Sequence, residues 1–229
     1  MSEISGIRLY SYWRSSASWR VRIALAFKGL RYEIVPINLI RGDGEQHSAE
    51  HTERNPMRTI PYLEIVDPRG QVLFGLGESL AILHYLEDLV PHPPLLTGGP
   101  ENRAQQRWLA ELINAGIHPL QNRRVLLALG EHFGADEAAR QSWARTFITR
   151  GFAALEAILP RMQGQFCVGN SLSIADVCLL PQVYNAERHG VCVSDFPRLH
   201  ALASALRQHP AFAISAPELQ PDAPAPAAN

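Results

Sequence analysis

In Ser11-Tyr12-Trp13-Arg14-Ser15-Ser16-Ala17-Ser18-Trp19-Arg20, Arg14 and the hydroxyls of Ser15, Ser16 and Ser18 gather where a strand turns into a helix. Ile7 to Tyr12 reads as the strand, and Val21, Ile23, Ala24, Leu25 and Phe27 supply the apolar stripe of a helix that Gly29 ends in a left-handed cap. That helix starts near Ser16 or Ser18. Its first backbone N–H groups and the positive end of its dipole face the preceding loop, a setting that suits an anion or a thiolate. Serine capping of a helix that binds nothing would leave the same pattern.

Composition narrows the partners. Arg plus Lys number 21 against 22 Asp plus Glu, for a net charge of −1, so no global field attracts nucleic acid. Lys28 is the only lysine and carries no functional reading. Cys167, Cys178 and Cys192 are odd in number, scattered and set in apolar segments, which reads as reduced thiols of a cytosolic protein and leaves no disulfide framework or metal site. The N-terminus has neither a basic region nor an apolar core, and no run approaches the ~18 apolar residues of a membrane span. The expected residence is cytoplasmic, with no membrane partner.

The elements that must position the serines follow in order. A second strand is expected over Tyr32 to Ile37, then a polar, irregular stretch from Leu39 to Asn55 around Gly42, Asp43 and Gly44. Tyr62 to Val66, the turn Asp67-Pro68-Arg69-Gly70 and Gln71 to Phe74 form a hairpin. Pro61 opens its first strand, where a cis peptide would leave the preceding backbone free to pair with a ligand. A helix begins at Glu78-Ser79 with Leu80, Leu83, Leu86 and Leu89 on one face. This gives an α/β domain over residues 5–90. Residues 91–100, with four prolines and two glycines, read as a linker.

Helical periodicity then covers 101–115, 119–132, 136–160, 174–187 and 197–208, so residues 101–215 form an all-helical domain. Ser173 and Asp176 have capping-box spacing, and Leu172 with Val177 has that of a hydrophobic staple. Residues 216–229 are rich in Pro and Ala and read as a flexible tail.

An α/β domain, a proline linker and a helical domain with Ser-x-x-Asp opening a late helix resemble the glutathione S-transferase fold, whose first domain is thioredoxin-like. The segments Ser15-Ser16 with Ser18-Trp19-Arg20-Val21-Arg22, Asn55-Pro56-Met57, Ser79-Leu80-Ala81-Ile82, Pro119-Leu120-Gln121-Asn122 and Pro181 to Arg188 are similar to its zeta class, over about Leu9 to Pro221. Ile117-His118-Pro119 with Asn122-Arg123-Arg124 also resembles the bacterial maleylpyruvate isomerases. One position departs: Ala17 stands where the zeta pattern usually has cysteine.

The resemblance implies glutathione as cofactor and a cis-trans isomerase converting maleylacetoacetate to fumarylacetoacetate in tyrosine and phenylalanine breakdown. Maleylpyruvate from gentisate breakdown, or glutathione transfer to small halo-acids, are the alternatives. The glutathione sulfur would add reversibly to the alkene, giving a single bond free to rotate. Lowering a thiol's pKa by about two units to favour that anion requires roughly 2.7 kcal/mol.

By the same resemblance, Ser15, Ser16 and the N–H of Ala17 hold the thiolate, with Ser15 and Ser16 catalytic. Ile60 pairs with the cysteinyl backbone, Glu78 and Ser79 hold the γ-glutamyl end, and Gln46, His118 and Asn122 contact the rest. Arg14 and Arg188 are the expected catalytic clamps on the two carboxylates of the substrate, with Arg123 third, since a guanidinium pairs bidentately with a carboxylate. Plain readings stay open for each: a helix cap for Glu78-Ser79, a core or helix-ending histidine for His118, solvated surface for the arginines. A homodimer is expected, contacting through the first helix of the helical domain. A noncatalytic module of this fold would have been favoured by absence of Ser15 and Ser16.

Overall fold

A computed structural model of the protein describes residues 6–225; Ser5, at the expected start of the first domain, and residues 226–229 of the tail lie outside the described residues. The chain divides into two compact units, one formed by residues before Pro94 together with those from Pro210 onward, the other by Pro94–His209.

The first unit is built on a four-stranded mixed sheet of β1 (Gly6–Ser11), β2 (Glu33–Pro36), β3 (Tyr62–Val66) and β4 (Val72–Gly77), in the order β2-β1-β3-β4. β1 runs parallel to β2 and antiparallel to β3, and β4 returns antiparallel to β3. Alternation in the strands gives the sheet two faces. Ile7, Leu9, Leu63 and Ile65 are buried on one, the face that helices α1 (Ser16–Phe27) and α3 (Ser79–Leu89) cover with Val21, Ile23, Leu25, Ile82, Leu83 and Leu86. The other carries Arg8, Tyr10, Tyr62 and Glu64, under α2 (Ala49–Arg54).

That second face is polar and closed by pairing. The Glu64 carboxylate accepts from Tyr10 Oη at 3.0 Å and from Arg54 Nε at 2.9 Å, while the Arg54 guanidinium lies 4.1 Å from the Tyr10 ring centroid. Lys28, the single lysine, is spent on structure. Its ammonium donates to Glu87 Oε2 and to the carbonyls of Val90 and Pro93, filling all three donor positions at the end of the unit.

Three expectations need correction. The stretch Leu39 to Asn55 holds a 3₁₀ turn, Glu45–His47, and α2, which Ser48 caps by accepting from His51 N. A six-residue helix shows too few turns for its periodicity to be read. The helix expected over 119–132 is broken: a 3₁₀ turn, His118–Gln121, precedes α5 (Arg123–Phe133), because Asn122 has extended backbone and caps α5 through Arg124 N. The tail is anchored as far as the described residues reach. Residues 210–215, expected in the helical domain, group with the first unit, where α9 (Pro210–Ile214) buries Ala211 and Phe212. Beyond it Gln220 is buried and donates to the carbonyls of Ser215 and Ala216, and Asp222 Oδ2 accepts from Trp13 N at 2.9 Å.

The second unit is helical throughout its regular structure: α4 (Pro100–Asn114), α5, α6 (Glu137–Ile158), α7 (Ile174–Arg188) and α8 (Pro197–Gln208). The late start signal is realised as a capping box, with the buried Asp176 carboxylate accepting from Ser173 N, Ser173 Oγ and Cys167 N. Leu172 and Val177 are both buried beside it.

Burial, then the bond to the Glu64 carboxylate, push the Tyr10 phenol up to about 12 from 10.0. A raised pKa means the folded state favours the neutral phenol, so this contribution is complete below pH 10 and is lost as pH rises towards about 12. Chemical denaturation across that range should show stability falling for the native protein, and falling less steeply for Tyr10→Phe.

Candidate functional site

Strand register brings the expected residues of the first unit to one end of the sheet. Tyr10, near the C-terminal end of β1, pairs with Tyr62 at the start of β3, and Tyr62 pairs with Gly77 at the end of β4. Ser15 follows β1, Ile60 precedes β3, and Glu78-Ser79 follow β4, so all three leave the sheet from the same end. β2 ends there too, since Ser11 pairs with Pro36. Gln46 is tied to that end through Asn38, whose carbonyl accepts from Glu45 N and whose own N–H reaches Glu45 Oε2.

Ser15 caps α1, its Oγ accepting from Ser18 N at 3.2 Å. A hydroxyl that accepts one bond keeps its own proton to donate. Ser16 is buried and Ala17 half-buried in the first turn, where N–H groups have no carbonyl of their own helix to meet. Replacing cysteine by alanine at position 17 leaves that backbone donor in place. Arg14, half-buried, rests against the rings of Trp13 and Tyr12 with its guanidinium carbon 5.5 and 5.9 Å from their centroids.

The Ile60–Pro61 peptide is cis. His51 Nε2 and Asn55 Nδ2 both bond the Thr59 carbonyl, at 3.0 and 2.9 Å, and Asn55 Oδ1 accepts from Met57 N. These contacts shape the approach to Ile60, which stands ahead of the β3 ladder beginning at Tyr62. Glu78 has φ 62°, the left-handed region that costs a non-glycine residue of order 1–3 kcal/mol. Ser79 is buried and its Oγ accepts from Arg20 Nη1 at 3.1 Å, again leaving the hydroxyl proton to donate.

Gln46 supplies a test of fit for a peptide-like ligand. Its side chain is buried, yet Oε1 has no hydrogen-bond partner among the described residues. A buried amide oxygen left in this state costs free energy until a donor arrives. Gly44 makes the arrangement possible, because a Cβ there, at φ 97°, would come within 2.4 Å of the Gln46 amide.

In the helical unit, His118 opens the 3₁₀ turn, Asn122 is the cap of α5, and Arg123 is exposed on the first turn of that helix. Arg188, near the end of α7, is exposed and donates to Asn185 Oδ1 at 3.2 Å. His118 and Arg188 are joined by buried amides: His118 Nδ1 meets Gln121 Nε2 at 3.3 Å, and Gln121 Oε1 accepts from Asn185 Nδ2. Arg123 and Asn122 stand outside this chain of bonds.

Sequence reasoning passed over the residues that hold these groups. Arg22 is fully buried and donates to Ser11 Oγ at 3.1 Å, Trp13 O at 2.8 Å and Ser215 O at 3.2 Å. Trp19 Nε1 bonds Ser215 Oγ at 3.1 Å. The available signal was Arg20 and Arg22 alternating with Val21 and Ile23 inside an apolar helix, where a charge must be paired. Two of the chain's three thiols are sealed from solvent, and the third, Cys192, is exposed. Cys167 and Cys178 are buried, and burial with the neighbouring Asp176 carboxylate pushes the Cys167 thiol well above 9.0.

Known proteins of similar sequence and structure span nearly the whole chain. The family profile "Glutathione S-transferase, N-terminal domain" matches residues 14–89, and "Glutathione S-transferase, C-terminal domain" matches residues 126–214. The maleylacetoacetate isomerase of Rattus norvegicus is 49% identical over 217 residues, 95% of each chain. Among solved structures, a holo maleyl pyruvate isomerase described as a bacterial zeta-class glutathione S-transferase is 38% identical, with a TM-score of 0.86 over 95% of this chain and 100% of its own. The maleylacetoacetate isomerase of Anaeromyxobacter dehalogenans 2CP-1, with glutathione bound in its active site, is 41% identical, with a TM-score of 0.86 over 98% and 100%.

Arg22→Met removes a cation whose partners are buried carbonyls and a hydroxyl. Urea denaturation should show a loss of about 3 kcal/mol or more, as for breaking a buried charged network. Arg22→Lys, which keeps the charge with fewer directed donors, should lose less.

Proposed function

The chain belongs to the glutathione S-transferase family, in its zeta class, and from that premise we propose that it is a glutathione-dependent cis-trans isomerase converting maleylacetoacetate to fumarylacetoacetate in tyrosine and phenylalanine breakdown. One observation carries the proposal: the serine cap of α1, the backbone at Ile60, Glu78-Ser79 and the unsatisfied Gln46 amide leave the same end of one sheet. A tripeptide with a thiol and two carboxylates uses each of these donors and acceptors.

Bound glutathione supplies a thiolate, a nucleophile that can open the conjugated alkene to rotation and leave again. The chain's residues make that anion available and orient the acid. Ser15 donates its hydroxyl proton towards the sulfur, with the first-turn N–H groups and helix dipole adding to the same potential. Ile60 offers backbone to the cysteinyl residue, Ser79 donates its hydroxyl to a carboxylate, and the Gln46 oxygen takes an N–H. Glu78, adjoining Ser79, serves the γ-glutamyl amine, and His118 a further polar group of the tripeptide. Arg14 and Arg188 hold the two carboxylates of the diketo acid, with Arg123 at the periphery.

The Asn122-Arg123-Arg124 segment and the 38% identical maleyl pyruvate isomerase support maleylpyruvate as the second acid. Measured at saturating glutathione, kcat/KM should be higher for maleylacetoacetate than for maleylpyruvate. The reverse order would move the assignment to the gentisate route.

We further propose a cytoplasmic homodimer. The free cysteines suit a reducing compartment. β4, at the edge of the sheet, leaves Val72, Leu73 and Phe74 exposed, and Trp108 on α4 is half exposed, apolar surface that association would cover.

Two outcomes follow. Ser15→Ala should raise the pKa of enzyme-bound glutathione by about one unit or more, read by thiolate absorbance against pH, since one charge-assisted donor is worth about 1.5–3 kcal/mol. Phe74→Glu should shift sedimentation from a dimer towards a monomer, whereas an unchanged dimer would place the interface elsewhere.

A further inference from the structure

The line of bonds between Arg188 and His118 has a direction. Arg188 Nη1 donates to Asn185 Oδ1, Asn185 Nδ2 donates to Gln121 Oε1, and Gln121 Nε2 faces both Gln182 Oε1 at 3.4 Å and His118 Nδ1 at 3.3 Å. Gln121, Gln182 and Asn185 are 3%, 0% and 8% exposed, so bulk water does not replace a lost partner. A guanidinium has donors and no acceptor. It therefore fixes the oxygen of Asn185 on its own side, which leaves the Asn185 NH₂ for Gln121. Gln121 must answer with its oxygen and turn its NH₂ inward. His118 Nδ1 can meet an NH₂ only as an acceptor, with the ring proton on Nε2.

The opposite direction has something in its favour. Gln182 Nε2 is buried without a partner among the described residues, and a reversed Gln121 would present it an oxygen. Reversal would also set the Asn185 NH₂ against the Arg188 guanidinium, donor against cation. The charge on Arg188 decides between the two directions.

We propose that Asn185 and Gln121 are positioning residues that carry the polarity of Arg188 to His118, so that the arginine clamp on the substrate sets which imidazole nitrogen donates to glutathione. What His118 touches rests on the proposed function; its tautomer rests on the contact between its Nδ1 and the Gln121 amide. The two sites of the reaction are then coupled through three side chains, Asn185, Gln121 and His118.

The test uses the full chain labelled with ¹⁵N-histidine, at about pH 9, where an imidazole is neutral. The His118 resonances are identified by their loss in His118→Gln. The wild-type protein should show the Nε2–H tautomer. In Arg188→Met the Gln182 amide is free to draw the Gln121 oxygen, and His118 should invert to Nδ1–H. Asn185→Asp presents only acceptors, so Gln121 must turn its NH₂ to the new carboxylate and its oxygen to His118, giving the same inversion. A residue that merely fills space would leave the tautomer where it was.

Calorimetry on Asn185→Asp reads the second half of the proposal: glutathione Kd should rise about tenfold or more when the Nε2–H donor is lost. Inversion with unchanged Kd would support the relay while removing His118 from the glutathione site. A wild-type proton on Nδ1, or Nε2–H retained in both variants, would overturn the relay.

Discussion

A guanidinium sealed from water fixes the loop that carries Arg14 and Ser15. Arg22 lies on the first turns of α1 with no exposed surface, and its bonds run to the end of β1 at Ser11, to the carbonyl of Trp13 in the loop, and to Ser215 near the other end of the chain. Burying a cation is costly unless every donor is directed at an oxygen. The loop can therefore take few shapes that leave Arg22 satisfied. Asp222 closes the same loop from outside by accepting from Trp13 N. Ser15 caps α1 at a place defined by these contacts, and the donors of the first turn inherit that place.

The sheet does for the other residues what Arg22 does for the loop. Because β1 and β3 are antiparallel with Tyr10 opposite Tyr62, the exit of one strand lies beside the entrance of the next, and Gly77 opposite Tyr62 adds the exit of β4. Backbone and side-chain donors that are far apart in sequence thereby share one end of the sheet. The arrangement suits an extended, anionic peptide ligand better than a compact one, since the groups follow the sheet end in a row. Arg20 binds α1 to α3 through Ser79, so a shift of either helix would be felt both at the Ser15 cap and at Ser79.

Much of this was readable before any coordinates. Periodicity located α1, the β3–β4 hairpin and the long helices, and the proline at a strand start raised the cis peptide that is found at Ile60–Pro61. Elements that escaped reading did so for physical reasons. α2 is too short to display a period, Asn122 breaks a helix by capping the next one, and the segment 210–222 owes its order to Trp19, Arg22 and Trp13, not to its own composition. The serines and arginines proposed for the site stood out by type. The bonds orienting them were not, because Gln121 and Asn185 are 64 positions apart and only the folded helices bring them together. Ala17 lies on the legible side: its backbone N–H was expected from a helix starting near Ser16, and α1 does start there.

The reactive sulfur of the proposed isomerisation is borrowed from glutathione. Removing glutathione from the purified protein by exhaustive dialysis and following isomerisation of maleylacetoacetate before and after adding it back measures this directly. A borrowed sulfur predicts negligible turnover in its absence and full recovery on addition; undiminished turnover by the stripped protein would contradict it.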